Sequence, residues 1–231
     1  MSEPESIRER AIERFPQVLL TLVSIMQALA LEMLWSSMRS GEHLFAGGLP
    51  AWIGWLQVVA VFDGILVVWL FYASIVMRLS WTPRTRDSIL PFAIGAAEFV
   101  LATLLAPELL DLWLYVLAAI FAVSSWTSFD IFTRARAEPR NAAFFAQARM
   151  GTVATPIAFT GVIALSGVAV HALGPGGVTA ALATSLANAA LVAQIALIRG
   201  YWNRSMAKDP EPEPADPGSA GVKPSSPSVP E

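Results

Sequence analysis

Three carboxylates, Glu32, Asp63 and Glu98, stand in stretches of sequence that are otherwise almost free of charge. If those stretches cross a bilayer, each acid costs about 2.5–3.5 kcal/mol to insert. Two chemical states could accommodate them. Protonated carboxyls could hydrogen-bond to the neutral polar residues of the same stretches, Gln27, Gln57 and Asn188, with Gln194 further in. Ionised carboxylates could instead face a hydrated cavity, where they would bind a cation or exchange a proton. At 1.5 Å of helix rise per residue, Asp63 and Glu98 fall near the middle of their stretches, and Glu32 and Gln57 fall in the outer third. The second state therefore places a central site at Asp63 and Glu98, with an outer approach at Glu32 and Gln57. Two carboxyls at close range share a proton because both cannot ionise, which suits proton coupling. A protonated carboxyl can also act only as glue between helices. Spacing along the chain sets depth but not azimuth, so both roles stay open at this level.

The elements that must hold these residues follow from composition. Of the 231 residues, 55% are hydrophobic and only 14% are charged, against about 25% charged in a soluble domain. The charges sit in short blocks between long apolar runs. This excludes an ordinary soluble enzyme, a disordered chain and a nucleic-acid-binding protein, and it predicts an all-α, polytopic membrane protein. Six runs are long enough to span, at 16–38, 51–77, 88–106, 111–133, 151–173 and 177–199. Proline or glycine marks most of the boundaries, as at Gly47-Gly48, Pro83, Pro107, Pro139 and Gly174-Pro175-Gly176-Gly177. Residues 1–15 read as an amphipathic cytoplasmic segment with Ile7, Ala11, Ile12 and Phe15 at helical spacing, and Pro16 opens the membrane domain of 16–206. The acidic start, and an apolar run that continues past Ala28-Leu29-Ala30, argue against a cleaved signal peptide. Residues 207–231 carry seven prolines and few large apolar side chains, the composition of a disordered tail.

Basic residues predict the orientation. All fifteen Lys and Arg except Arg39 fall on one side of the six-run arrangement. The positive-inside rule then places both termini in the cytoplasm, in a cell (inner) membrane. Arg78, Arg84, Arg134 and Arg140 are the arginines expected to meet anionic lipid head groups. Asp130 and Arg134, four residues apart near the end of the fourth run, are expected to form a local ion pair. In the sixth run Ala181, Ser185, Ala189 and Ala193 form a small-residue stripe, with Ala180, Thr184 and Asn188 beside it. Such faces let helix backbones approach closely, within the bundle or against a second subunit.

Catalytic motifs are missing from the sequence. There is no His-Glu-x-x-His, no phosphate-cradling Gly-rich Lys-Ser/Thr loop and no potassium-filter sequence. Ser166 and His171 are five residues apart, on different faces of a helix. Cysteine is absent and the only histidines are His43 and His171, so no metal site and no cofactor is expected. The expected partners are the lipid bilayer and a membrane protein or second copy of the chain, not nucleic acid. The sequence leads to a transporter or channel-like permease for a proton, a cation or an ion-coupled solute, working through the intramembrane carboxylates. The alternative is a non-catalytic membrane subunit or assembly factor that acts through helix packing and lipid contacts.

Overall fold

The computed structural model describes residues 7–147 and 154–206, and among these the chain is entirely helical apart from its connections. Seven α-helices follow one another: α1 Ile7–Ser40, α2 Gly48–Arg78, α3 Thr85–Thr103, α4 Leu110–Arg136, the short α5 Ala142–Gln147, α6 Ala154–Leu173 and α7 Gly177–Met206. Single 3₁₀ turns at Glu42–Leu44, Pro107–Leu109 and Pro139–Asn141 supply most of the remaining structure. The tail of 207–231, the first six residues and the basic residues Arg149, Lys208 and Lys223 lie outside the described residues.

Five segments are long and apolar enough to cross a membrane: Glu9–Ser40, Gly48–Arg78, Pro107–Arg136, Thr155–Leu173 and Gly177–Asn203. Only 22–44% of the most apolar window in each is buried inside the protein. The outward surface carries large apolar side chains such as Trp126, Phe129, Leu165, Leu182 and Val192. A water-soluble monomer rarely exposes apolar surface so continuously, so the exterior is built for lipid. The third expected run does not meet the same standard. Its helix, α3, has 19 residues and includes Arg86, Asp87 and Glu98.

Packing arranges the six long helices as a closed ring in the order α1–α2–α7–α6–α4–α3, with α3 returning to α1. The most extensive contacts are α4 on α6, α2 on α7 and α1 on α3. Neighbours in the ring are thus often distant in sequence. Inside the ring, Val61, Ile65, Leu101, Leu117, Ile163 and Leu191 form part of one continuous apolar core. Small residues permit the closest approaches. A Cβ on Gly95 of α3 would stand 2.6 Å from Cε of Met26 on α1, and one on Gly167 of α6 would stand 2.9 Å from the Tyr115 ring on α4. At the turn between α6 and α7, Gly174 and Gly177 hold φ of +92° and +73°, a conformation that glycine adopts without steric penalty.

The expected break at Pro16 does not occur. Proline removes one backbone donor, yet α1 continues through Pro16 to Ser40. Trp69 Nε1 donates to Ser24 Oγ across 3.3 Å and registers α1 against α2. Counting back from that contact at 1.5 Å per residue, the start of α1 extends about 12 Å past the Arg78 end of α2. The described part of the amphipathic segment is thus a projection of α1 rather than a separate helix.

Candidate functional site

Glu98 is the most deeply placed acid of the three. It lies on the buried face of α3 with Asp87, Pro91, Ile94, Gly95, Leu101 and Ala102, at helical spacing. Its side chain is 2% exposed. Gln27 of α1, itself buried, donates from Nε2 to Glu98 Oε2 across 3.0 Å. Close packing of Met26 against Gly95 brings the two helices near enough for this bond. Glu98 Oε1 and Gln27 Oε1 are both buried without a hydrogen-bond partner. No arginine or lysine forms an ion pair with Glu98 among the described residues. The result is a half-satisfied carboxyl in the body of the bundle, able to gain or lose a proton on Oε1.

The other expected site residues are dispersed. Asp63 is half-buried at the edge of the exposed stripe of α2, beside Phe62, and has no hydrogen bond or ion pair among the described residues. It is not joined to Glu98, so the two acids do not form the close pair that depth alone allowed. Gln57 is fully buried, and its Nε2 reaches the Leu104 carbonyl at 3.4 Å. Asn188 Nδ2 donates to the Leu56 carbonyl across 3.0 Å and to that of Thr184 across 2.9 Å. These two amides hold α2 to the end of α3 and to α7. Glu32 is exposed on α1 and is not joined to Gln57. The site thus reduces to Glu98 with Gln27, because α1 and α3 turn those two side chains toward each other.

The arginine-rich end of the bundle holds a second polar cluster, in which both Asp87 oxygens are engaged. Arg134 of α4 binds Asp87 of α3 in a bidentate pair, Nη1 to Oδ2 at 2.8 Å and Nη2 to Oδ1 at 2.6 Å. Its Nε donates to Asp130 Oδ2 at 3.0 Å, and Nη1 also reaches the Thr82 carbonyl. Arg86 closes the cluster on Asp130. The Asp87 carboxylate further accepts from the Arg84 backbone N–H and from Trp81 Nε1. Nearby, Asn141 binds the Ser80 and Ala135 carbonyls and accepts from the Ser80 N–H. Together these bonds clamp the α2–α3 connection onto the end of α4.

That clamp corrects the expected role of Arg134. The local pair with Asp130 forms as expected, but the guanidinium also turns inward onto Asp87, with its side chain only 11% exposed. It is therefore not presented to lipid head groups. Arg78 is stacked over the Trp202 ring at 4.4 Å, while Arg84 and Arg140 are exposed. The small-residue stripe of α7 also departs from the packing within the bundle that the sequence allowed. Ser185 and Ala189 are exposed and Ala181 and Ala193 half-buried, whereas Ala180, Ala183, Thr184 and Ala187 face the core. The helix is rotated so that Asn188 can reach α2.

Sequence reasoning missed Asp87, whose place in the first turn of α3 is a helix-start signal. It also missed Tyr72, a 1% exposed phenol whose Oη has no hydrogen-bond partner among the described residues. Ser124 and Ser128, four apart in an apolar run, were a legible polar stripe. No family model, curated protein or solved structure matches the chain.

Proposed function

We propose that the protein is a six-span integral membrane permease that moves a proton or cation by way of Glu98. The observation that carries this reading is the Glu98 carboxyl itself, 2% exposed and, among the described residues, bonded to Gln27 alone with one oxygen left without a partner. Buried polar groups are nearly always satisfied, so a deep carboxyl with spare capacity asks for an occupant.

The reading takes α3 as the sixth crossing. Its 19 residues reach about 28 Å, close to the hydrocarbon thickness of about 30 Å. Two of its charges, Asp87 and Glu98, are buried, and Arg86 is paired with Asp130. Its outward residues are Ile89, Phe92 and Val100. Charges turned inward and apolar side chains turned outward are what a lipid-facing helix requires. With six crossings, the basic end faces the cytoplasm and both termini lie there, in a cell membrane.

The test is ion flux in proteoliposomes. Wild-type protein conducts protons or monovalent cations, and Glu98→Gln abolishes conduction while the protein elutes and melts like wild type. Asp63→Asn, which is not bonded to Glu98, retains at least half the flux. Normal flux in Glu98→Gln removes the assignment.

A second reading, a non-catalytic membrane subunit, is favoured by the outward turn of Ser185 and Ala189. Small residues on a lipid-facing surface can admit another helix. Under this reading Ser185→Leu and Ala189→Leu dissociate a native complex and Glu98→Gln does not. An intact complex in both leucine variants counts against it.

A further inference from the structure

Toward the basic end of the bundle, a groove of about 440 Å³ runs between α2 and α7, within the roughly 300–1,000 Å³ of ligand sites in general. Ala73 and Ile198 are its buried floor, and Trp69 and Met77 stand exposed on its rim. At 1.5 Å per residue, the stretch from Trp69 to Met77 is about 12 Å long. That is most of one leaflet's share of a hydrocarbon layer about 30 Å thick. Two features make the groove more than an apolar surface. Ser74 is in its wall and makes no hydrogen bond among the described residues. The hydroxyls of Ser125, Ser128 and Ser166 donate to the carbonyl four residues before them, so Ser74 differs in having a donor to spare. The basic end of the groove also carries unneutralised charge. Arg199 lines it, is exposed, and makes no ion pair or hydrogen bond among the described residues. Trp202, one turn further along α7, lines it too, with the Arg78 guanidinium 4.4 Å over its ring. Arg78 likewise has no ion pair among the described residues, and no acid stands in the wall. Arg86 and Arg134, by contrast, are held by Asp130 and Asp87.

We propose that this groove binds one phospholipid with an anionic head group, from the leaflet at the basic end, with an acyl chain along the floor and the phosphate on Arg199. The proposal rests on α2 and α7 crossing the membrane and not on the reading of Glu98. Both helices are long and apolar enough to cross, so the floor meets acyl chains rather than water. Arg78 and Arg199 lie near the same ends of those segments, where head groups are. A guanidinium pairs with phosphate through two parallel hydrogen bonds, and Trp202 beside it suits the membrane–water interface. Ser74 is one helical turn inside Arg78, the level of the ester groups, whose carbonyls accept from a hydroxyl. The charge selects the head group. A zwitterionic lipid brings its own cation to an end that already holds two arginines, whereas a lipid of net negative charge brings only the counter-ion that the arginines lack.

Native mass spectrometry of the full chain in an uncharged detergent tests this. The protein is titrated with dioleoyl phosphatidylglycerol and, separately, with dioleoyl phosphatidylcholine, which has the same chains. One phosphatidylglycerol should bind about tenfold more tightly than phosphatidylcholine; equal affinities overturn the proposal. Arg199→Gln should remove that preference, and because Arg199 is exposed and unpaired the variant should melt like wild type. Arg140→Gln, which removes another exposed arginine, should leave the preference intact. An equal loss in both variants would mean diffuse surface charge and overturns the site. Ser74→Phe fills the groove without changing charge and should weaken both lipids about tenfold. Unchanged binding in that variant would leave only a head-group contact and overturns the groove. The same spectra count chains. A dimer that Ser74→Phe dissociates would put a second copy in the groove in place of the lipid, which also overturns the proposal.

Discussion

The clamp at the basic end and the Gln27–Glu98 pair are both buried, polar and formed between helices, yet they are built to opposite standards. In the clamp, both oxygens of Asp87 are engaged and its bidentate partner Arg134 is shared with Asp130 and the Thr82 carbonyl. In the Gln27–Glu98 pair, one hydrogen bond is made and one oxygen on each side is left over. A well-bonded polar network fixes geometry, and an unpaired buried polar atom is costly. Two equally buried carboxyls, Asp87 and Glu98, thus stand in very different bonding environments. What separates the two regions is the carboxylate: both oxygens of Asp87 are engaged and only one of Glu98 is, among the described residues.

The comparison can be broken most forcefully at the clamp. Arg134→Ala leaves Asp87 buried and unpaired, and removal of one partner from such a pair costs about 3–5 kcal/mol. Thermal unfolding in detergent should show a large fall in Tm, and a wild-type Tm would mean that the cluster does not hold the α2–α3 connection. Next come the two faces of α7. Ala187→Leu forces bulk into the core, where overpacking costs about 1–3 kcal/mol, whereas Ser185→Leu on the outer face should change stability by no more than about 0.5 kcal/mol. Equal losses would show that the outer stripe is packed in the native assembly. Glu98→Gln exchanges one hydrogen-bonding group for another of the same shape and should shift stability by about 1 kcal/mol or less. A collapse as large as that of Arg134→Ala would make Glu98 structural and erase the distinction. The smallest effect is expected at the opposite end of the bundle. There His171 Nδ1 meets Asp111 Oδ2 at 2.8 Å on an exposed surface, and such pairs contribute about 0–1 kcal/mol. Unfolding of His171→Ala over a range of salt concentrations checks this.

Much of the architecture was legible from the residues. Apolar runs, their glycine and proline boundaries and the one-sided arginines marked out the helices and their basic end. The local Asp130–Arg134 pair was also legible, because four residues in a helix return a side chain to the same face. Arg78 and Arg134 even share a sequence context, each followed five residues later by Pro-Arg. Their roles nonetheless differ: one lies over Trp202 and the other is buried against Asp87. Asp63 and Glu98 were likewise equivalent by depth and are not equivalent in the fold.

By itself, the sequence determined which segments become helices, how far along each helix a polar group lies and which end is basic. These are local properties, set by a constant rise per residue and by composition. Only the tertiary structure decided which polar groups meet. Gln27 and Glu98 are 71 residues apart, and Arg134 and Asp87 are 47 apart. Their contact depends on the order of helices around the ring and on the rotation of each about its axis. Both are fixed by the packing of small and large side chains across interfaces, such as Gly95 against Met26, and no spacing within a single segment encodes them.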